Sequence, residues 1–447
     1  LMTGMTFALL QIKAFSKEEI MKFIFFLLLA LILAQTGVVY ADGVSNVNSG
    51  DTAWMLISTA LVMLMTPCLA LFYGGMVRRK NVLGTIMQSF IALGVVSIIW
   101  VLYGYSLAFG PDVGHVIGSF DWVGLKGVGL EPYRNYSPTI PHQAFMIFQM
   151  MFAVITPALI TGAFAERVKF SAYLMFLILW TTFVYLPLAH WVWGVGGWLR
   201  NLGVLDFAGG IVVHLSSGVA ALVAAIVVGK RRGHGAEPML PHNLTMTLLG
   251  TALLWFGWFG FNGGSAFASG SLATSAFVVT HIASATAMLS WMLAEWKHRG
   301  KPTVLGAASG AIAGLATITP ASGFVSPMAA VIIGFTAGLA CYSVVNLKGR
   351  FGYDDSLDVV GIHGVGGILG TLSVGLFATK FINPAGADGL FFGNPTLLFI
   401  QAKAVLAVVV FVGVVTFVIL KLIDRTIGLR VDEQAEFVGL DHALHGE

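Results

Sequence analysis

Charged residues are scarce in this chain. Asp, Glu, Lys and Arg together make up 10% of its 447 residues, whereas soluble domains usually carry about 25%. Hydrophobic residues make up 57%, and the mean hydropathy is +0.87. So few charged side chains cannot cover a water-soluble body of this size, which excludes an ordinary cytosolic enzyme, a disordered chain and a coiled coil. The composition predicts a polytopic membrane protein.

Net charge and cysteine content are also low. The net charge of +3 is too small and too dispersed for a surface that binds nucleic acid. The two cysteines, Cys68 and Cys341, both lie in apolar runs, which excludes a disulfide-stapled secreted scaffold. The two thiols could form one disulfide, but we favour inert buried thiols because free cysteine is among the most buried residue types.

Residues 21–43 have the layout of a secretory signal peptide. Lys22 precedes a run of about a dozen apolar residues, and small residues then lead to Ala41, which is the order that a signal peptidase requires. The alternative is one further membrane helix. We therefore expect an N-terminal extension at 1–41 that contains a signal peptide cleaved after Ala41. Residues 1–20 precede Met21 without a clear pattern and are left out of the fold prediction.

Apolar stretches of about twenty residues, the length of a membrane helix, recur down the rest of the chain. The pattern predicts an all-α integral membrane protein with a transmembrane domain at 50–422 and a polar tail at 423–447. The 54 glycines would let the helices approach closely. We predict eleven transmembrane helices, at roughly 53–76, 83–108, 142–164, 170–191, 207–229, 243–262, 272–296, 304–320, 325–347, 358–378 and 398–422.

Basic residues in the loops predict the orientation. Sixteen Lys and Arg residues lie in alternate loops and in the tail, whereas the other loops hold only Lys126, Arg134, Arg200 and Lys380. Cytoplasmic loops carry the excess of basic residues, so the N-terminus is predicted outside and the C-terminus inside. An odd number of helices after a cleaved signal peptide gives the same arrangement.

Two predicted helices carry ionisable residues at membrane depth. One begins DFAGGIVVH, with Asp206 and His214, and the other begins DVVGIHGVGG, with Asp358 and His363. They are five spans apart and so enter the membrane from opposite faces, which predicts an inverted repeat of spans 1–5 and 6–10, followed by an eleventh helix. For Asp358 we favour a structural helix cap. For Asp206 a cap and a functional role are equally supported.

The paired histidines predict a functional site at the repeat interface, since a buried imidazole in a membrane needs a reason. Two imidazoles could ligate haem, bind a transition metal or line a path for a small polar molecule. No Cys or carboxylate stands near either histidine in the sequence, which disfavours a metal site. A neutral imidazole both donates and accepts a hydrogen bond, and it can carry a proton near neutral pH.

Aromatic residues follow the predicted outer ends of three spans. Tyr105 and Phe109 end the second span, Trp193 ends the fourth, and Phe261 and Ser265 end the sixth. An aromatic belt at the membrane interface would explain them. The alternative is an aromatic cage for a small cation, with the Ser265 hydroxyl as a hydrogen-bond acceptor.

Several segments together resemble the ammonium transporter (Amt/Mep/Rhesus) family, most closely its bacterial Amt branch. The resemblance runs from about residue 50 to the end, with the segments in family order. They are ALFYGGMVRRKN at 70–81, WVLYGYSLAFG at 100–110, AERVKFSA at 165–172, DFAGGIVVH at 206–214, GWFGFNGGS at 257–265, DVVGIHGVGGILG at 358–370 and the tail at 428–447.

The resemblance implies specific roles for residues of this chain. It implies recruitment of ammonium at an outer vestibule and passage of ammonia through a hydrophobic pore, with no cofactor and no enzymatic reaction. The implied positions are the vestibule residues Tyr105, Phe109, Trp193 and Ser265, the supporting Asp206, the stacked gate rings Phe109 and Phe261, the pore and proton-relay pair His214 and His363, and the inner pore exit at Phe72 and Tyr73.

The resemblance also implies partners. It predicts a homotrimer in the inner (plasma) membrane and a cytoplasmic regulatory tail that serves as a dock for a PII-type signalling protein, flanked by Arg78, Arg79, Lys230 and Arg231. Two other functions remain open. The chain could act as an ammonium sensor, although its tail of about 25 residues is short for a signalling domain, or as a haem-binding membrane protein that uses the two histidines.

Overall fold

The computed structural model describes residues 46–447. The predicted N-terminal extension and signal peptide at 1–41 lie outside the described residues. The described chain is helical apart from its loops and one small antiparallel hairpin, in which β1 (Asp112–Val113) pairs with β2 (Ile117–Gly118). Both cysteines are buried free thiols.

Ten helices within residues 46–447 are long and apolar enough to cross a membrane, and one shorter apolar helix lies among them. The shorter helix is α8. In chain order they are α1 (Ser49–Met76), α2 (Arg79–Phe109), α3 (His142–Phe164), α4 (Phe170–Leu202), α5 (Gly210–Val228), α6 (Leu244–Gly264), α7 (Ser271–Arg299), α8 (Val304–Ile318), α9 (Pro327–Phe351), α10 (Val360–Phe377) and α11 (Pro395–Thr426).

The helix α8 differs from the predicted eighth span at 304–320. Its 15 residues rise about 22 Å, which is shorter than the apolar thickness of about 30 Å. Residues 308–318 are all buried, because α8 packs among α6, α7 and α9. Ten of the eleven predicted spans thus correspond to helices of membrane-spanning length, and the eighth is a short helix enclosed by its neighbours.

Polar side chains cap the starts of several helices. Asn48 Oδ1 accepts the backbone N–H of Asp51 at 3.0 Å, and Asn243 Oδ1 accepts that of Met246 at 2.9 Å. Thr303 Oγ1 does the same for Gly306 at 2.9 Å. These bonds satisfy N–H groups that have no partner within the first helical turn, so the loop residues fix where the apolar helices begin.

Helices α1 and α6 show how small residues bring the backbones together. A Cβ on Gly260 would lie 2.9 Å from the carbonyl oxygen of Ser58, and one on Gly250 would lie 2.5 Å from the backbone nitrogen of Phe72. Either contact is too close for a real side chain. The glycine content predicted this kind of packing, because helices in lipid associate through small residues.

A buried ion network ties together the loops at the end of the bundle that holds Met76 and Leu244, here named the predicted inner end. Arg231 donates to the Asp354 carboxylate at 2.9 Å and to Glu166 at 3.3 Å, and Arg78 Nε donates to Glu166 at 2.9 Å. Burial alone would raise the pKa of Asp354 and Glu166, but Arg231 at Asp354, and Arg231 together with Arg78 at Glu166, hold the pKa of both carboxyls below the usual range.

The tail after α11 packs on the same end of the bundle. Its short helix α12 (Glu433–Val438) follows an antiparallel bridge between Arg430 and Val168. Glu436 accepts hydrogen bonds from Arg430 Nη2 at 2.7 Å and from the backbone of Arg232 at 2.6 Å. The tail is therefore part of the folded body rather than a free extension.

Candidate functional site

Helices α5 and α10 cross at glycines. A Cβ on Gly218 would overlap the backbone of Gly364, and a Cβ on Gly367 would lie 2.5 Å from the backbone nitrogen of Leu215. Gly218 and Gly367 each follow a histidine of their own helix by four positions, and each meets the residue directly after the histidine of the other helix. The crossing is therefore two-fold in its pattern, and it brings His214 and His363 to the same point.

The two imidazoles are in direct contact. Their Nδ1 atoms are 3.2 Å apart, and the ring planes are inclined by 20° with centroids 5.2 Å apart. The residues are only 1% and 3% exposed. One Nδ1 must carry a hydrogen and the other must accept it, so the two rings hold complementary tautomers. His214 Nε2 has no hydrogen-bond partner within residues 46–447.

This geometry argues against the haem interpretation. A metal bound between two opposed imidazoles lies about 2.0 Å from each nitrogen, which places the nitrogens about 4 Å apart. The observed 3.2 Å between the Nδ1 atoms fits a hydrogen bond and leaves no room for a porphyrin between the rings. Within the described chain, no group of three or more His, Cys, Asp or Glu residues is placed to hold a metal ion.

An enclosed apolar cavity surrounds the histidine pair. It offers about 10 Å³ to the centre of a water-sized molecule, which is the space that one such molecule requires. The imidazoles supply the polar atoms of a wall that is otherwise apolar. The lining residues are Met65, Leu69, Phe72, Ile155, Leu159, Val213, His214, Leu254, Trp258, Phe261, Ile312 and His363.

Phe261 lines this cavity and has a second phenyl ring packed against it, but that ring is not the predicted one. Phe261 lies 6.0 Å from His214 between ring centroids, and the ring against it is that of Phe152, at 4.3 Å. Phe148 packs edge-on against Phe152 at 5.0 Å. The prediction that Phe109 stacks on Phe261 is therefore wrong.

Tyr105 and Phe109 lie elsewhere, in the core beneath the loop that contains residues 122–142. Tyr105 stacks on Phe109 at 5.6 Å, and its hydroxyl meets His142 Nε2 at 2.5 Å. Phe109 packs edge-on against Phe145 at 5.3 Å. Packing explains the difference, because the part of α2 that carries Tyr105 and Phe109 packs against α4, whereas α6, which carries Phe261, packs against α1, α7 and α8.

The phenylalanines that sequence reasoning missed stand in FQMMF at 148–152. Phe148 and Phe152 are four residues apart, so they occupy one face of α3. That spacing is visible in the sequence. It does not single out these two rings, because α3 contains many other apolar residues, and only the fold shows which of its faces meets Phe261.

Trp193 and Ser265 lie beside the Phe152–Phe261 ring pair. The Trp193 ring packs edge-on against Phe152 at 5.9 Å, and its Nε1 donates to the Asp206 carbonyl oxygen at 2.9 Å. Ser265 Oγ donates to the Phe261 carbonyl oxygen at 2.8 Å. Of the four predicted vestibule residues, the structure thus places Trp193 and Ser265 beside the ring pair, and Tyr105 and Phe109 away from it.

Asp206 caps α5. Its Oδ1 accepts the N–H groups of Gly209 and Gly210 at 2.8 and 2.7 Å, and its Oδ2 accepts those of Ile211 and Val212 at 2.7 and 3.2 Å. All four free N–H groups of the helix start are satisfied by one carboxylate. The Asp206 carbonyl oxygen also accepts the Trp193 Nε1–H, so the same residue holds the start of α5 and the Trp193 ring.

The predicted cap of α10 is wrong by three residues. Asp358 has a positive φ of 63° and its carboxylate pairs with Lys348. The carboxylate that accepts the N–H of Val360, at 2.8 Å, belongs to Asp355. Asp355 precedes His363 by eight residues, as Asp206 precedes His214. The repeat therefore relates Asp206 to Asp355, because the loop before α10 is folded by the Lys348 ion pair.

The predicted inner exit residues lie at the other end of the cavity. Phe72 lines the cavity near the end of α1. Tyr73 is buried beside it, with ring centroids 5.8 Å apart, and its hydroxyl donates to the Leu159 carbonyl oxygen at 2.9 Å. The cavity therefore runs from Phe152 and Phe261 at one end to Phe72 at the other.

Comparison with known proteins decides the family. The model of the Ammonium Transporter Family matches residues 53–447. The chain belongs to the ammonium transporter family. Like the other members of this transporter family, it is an integral multi-pass membrane protein, as its apolar helices also indicate.

Individual ammonium transporters are similar over nearly their whole length. The ammonium transporter of Bacillus subtilis is 56% identical over 399 residues, which cover 89% of this chain and 98% of that protein. Ammonium transporter Amt1 of Archaeoglobus fulgidus is 49% identical over 400 residues, which cover 90% and 99%. The crystal structure of Saccharomyces cerevisiae Mep2 superposes with a TM-score of 0.82 at 35% identity and covers 87% of this chain and 89% of Mep2. A structure titled Sensor Amt Protein superposes with a TM-score of 0.81 at 28% identity and covers 89% of this chain and 98% of that one.

Proposed function

We propose that this protein carries ammonium nitrogen across the inner (plasma) membrane of the cell by recruiting NH4+ at the outer mouth, removing its proton and conducting NH3. The observation that carries the proposal is the enclosed apolar cavity, with room for about one water-sized molecule, in which His214 and His363 provide a polar wall. In this arrangement the pore runs along the cavity from the mouth at Trp193 to Phe72.

The proposed topology has eleven spans, with the N-terminus outside and the C-terminus inside. The short helix α8 crosses as part of the bundle, since its neighbours rather than lipid surround it. The excess of basic residues at the predicted inner end supports this orientation. We further propose the homotrimer that the family resemblance implies.

The mouth suits a small cation. Trp193 is partly exposed and is backed by the buried rings of Phe152 and Phe148; the face of an aromatic ring attracts a cation through its negative charge density. Ser265 Oγ keeps acceptor capacity, because its one hydrogen is donated to the Phe261 carbonyl oxygen. The Asp206 carboxylate has four N–H partners and therefore supports the site rather than binding ammonium directly.

Replacing Trp193 with Leu is expected to weaken recognition of ammonium by about 1–2 kcal/mol, the size of a partly desolvated cation–π contact. The measurement is the concentration dependence of ammonium uptake by the reconstituted variant. Trp191 provides the matched control, since its ring packs on Phe411 rather than at the mouth. An unchanged apparent affinity in Trp193→Leu, with unchanged selectivity against K⁺, would contradict the aromatic site.

A neutral species is the one that the cavity favours. Ammonium remains charged at neutral pH, and a bare charge in an apolar membrane path costs several kcal/mol. Loss of the proton at the Phe152–Phe261 pair lets NH3 pass, and the imidazoles can hydrogen-bond it and carry the separated proton. The test is to measure current and uptake together on reconstituted protein under an ammonium gradient. Absence of both would refute the transport function.

The tail is proposed to regulate this transport and to offer a dock to a PII-type signalling protein. Asp441 accepts the N–H groups of Leu83 and Gly84, at 3.1 and 2.8 Å, at the start of α2. The exposed ring of Phe437 lies between Lys80 and Arg232, at 5.6 and 4.8 Å. The tail thus contacts the two predicted inner loops that contain Lys80 and Arg232, and it exposes the ring of Phe437. The similarity to the Sensor Amt Protein structure favours sensing through such a partner as the second candidate function.

Deletion of residues 431–447 is expected to reduce ammonium uptake while the membrane body stays folded, because the tail packs against loops at the predicted inner end rather than among the spanning helices. Uptake and thermal unfolding of the purified truncated protein would be measured together. Asp441→Asn is the milder companion, since it weakens only the contact with α2. Full uptake by the truncated protein together with undiminished binding of a PII protein would contradict both roles of the tail.

A further inference from the structure

One oxygen of the buried Asp355 carboxylate has no hydrogen-bond partner among the described residues. Asp355 is 1% exposed and lies in the turn between α9 and α10. Its Oδ2 accepts the N–H of Val360, and the N–H of Val359 also faces the carboxylate, whereas its Oδ1 has no hydrogen-bond partner among the residues that the structure describes. The repeat-related Asp206 uses both oxygens, each for two N–H groups. A buried carboxylate oxygen without a partner is costly, so the difference calls for an explanation beyond capping.

Asp355 belongs to a segment that packs near the Phe72 end of the cavity. The segment that carries it packs against α1 and α3, because the Leu357 N–H donates to the Gly162 carbonyl oxygen at 3.0 Å. A Cβ on Gly162 would meet both the Tyr73 ring, at 2.8 Å, and Val359, at 2.7 Å. Tyr73 in turn adjoins Phe72, which lines the cavity. The segment that carries Asp355 therefore packs behind Tyr73, which adjoins the Phe72 end of the cavity, and the charge of Asp355 acts on Tyr73.

The groups around Asp355 set its proton affinity. Lys348 Nζ donates to the Asp355 carbonyl oxygen at 2.8 Å and pairs with Asp358. Tyr73, Tyr353 and the guanidinium of Arg167 complete the titratable and charged surroundings. Burial raises the pKa of Asp355 to about 6; the charge of Lys348 opposes the rise and that of Asp358 adds to it. The carboxyl can therefore take up and release a proton near neutral pH.

We propose that Asp355 is the proton-exchange group at the inner end of the pore, with its free Oδ1 as the atom that accepts and releases the proton. The proposal rests on the proposed function, in which ammonium loses its proton and NH3 crosses alone. The carboxylate takes a proton from water that the histidine pair has protonated and becomes a carboxylic acid. The acid then gives this proton to NH3 that leaves the pore: the O–H bond breaks, an N–H bond forms, and NH4+ and the carboxylate result.

The test is Asp355→Asn in proteoliposomes, with two readouts under an inward ammonium gradient. One is the ammonium-driven current, and the other is the permeation of neutral ammonia, followed as alkalinisation of the lumen. The amide retains a cap oxygen but cannot carry the proton, so we expect the current to fall by about tenfold or more, while the lumen becomes more alkaline than with the parent because NH3 then enters without the accompanying proton. Asp355→Glu is expected to restore part of the current. A parent-like current in Asp355→Asn would overturn the proposal, whereas absence of both readouts in the parent would instead refute the proposed function.

Two further variants keep Asp355 in place and so do not depend on the folding of Asp355→Asn. In the parent, the current should fall as the inner pH drops through about 6, because a protonated Asp355 cannot accept a proton. Lys348→Met removes the charge that lowers the pKa of Asp355 and should move this midpoint to higher pH. Asp358→Asn removes the charge that raises it and should move the midpoint to lower pH. A carboxylate that only caps α10 would leave both midpoints unmoved, and that result would overturn the proposal.

Discussion

Replacing both His214 and His363 with Ala is expected to abolish the ammonium-driven current, by about a hundredfold or more, while the protein still folds. The two imidazoles are the groups in the cavity wall that can hold and pass a proton, and their removal leaves an apolar tube. The fold should survive because the crossing of α5 and α10 rests on Gly218 and Gly367 rather than on the rings. Current and ion selectivity of the reconstituted double variant are the measurements.

Single replacements of either histidine by an acidic residue test the same relay through a gain of cation conduction instead of a loss. In His214→Asp or His363→Glu, a carboxylate stabilises a whole cation in the pore, so K⁺ should begin to cross or the current should rise. His281→Ala is the matched control, since His281 lies exposed on α7 away from the cavity. A double alanine variant that carried charge with ammonium as the parent does, at the same ion selectivity, would show that the histidine pair is not the relay.

Replacing Gly218 with Ala is expected to eliminate transport and to destabilise the protein. The added Cβ would overlap the backbone of Gly364, and overpacking of this kind costs about 1–3 kcal/mol because the helices must separate. Separation of α5 from α10 also breaks the contact between the imidazoles. Thermal unfolding and ammonium uptake would be measured on the same preparation.

Gly94 provides the control for this substitution. It lies in α2, and a Cβ there would meet nothing within 4 Å. Gly94→Ala should therefore be neutral or stabilising by about 0.5–1 kcal/mol, the usual gain for this exchange within a helix. Equal effects of the two substitutions would mean that the glycine crossing does not determine the pore geometry.

The sequence sufficed for features that depend on local patterns. The length of the apolar stretches located ten helices of spanning length, because the thickness of the bilayer fixes how many apolar residues a spanning helix needs. The segments that contain Asp206 with His214 and Asp358 with His363, five predicted spans apart, pointed to two related helices. Their meeting at 3.2 Å between Nδ1 atoms needed the glycine crossing, which depends on packing between segments about 150 residues apart.

The incorrect predictions share one physical cause. The position of Phe109 depends on the packing of α2 against α4, away from α6, and apolar periodicity does not show which helices are neighbours. The choice between Asp355 and Asp358 as the cap depends on where Lys348 reaches, which is a tertiary contact. In both cases the predicted residue type was correct, and tertiary packing determined which residue of that type occupies the position.

The glycine crossing of α5 and α10 has a mechanical consequence. Where two backbones already touch, as at Gly218 and Gly364, the helices can come no closer, and close-packed interiors have low compressibility. The space beside the histidines therefore cannot become narrower than the contact between the two helices allows. Lateral tension or a change in bilayer thickness would be taken up by the longer helices at the periphery, so the calibre that admits one small molecule would stay the same in membranes of different stiffness.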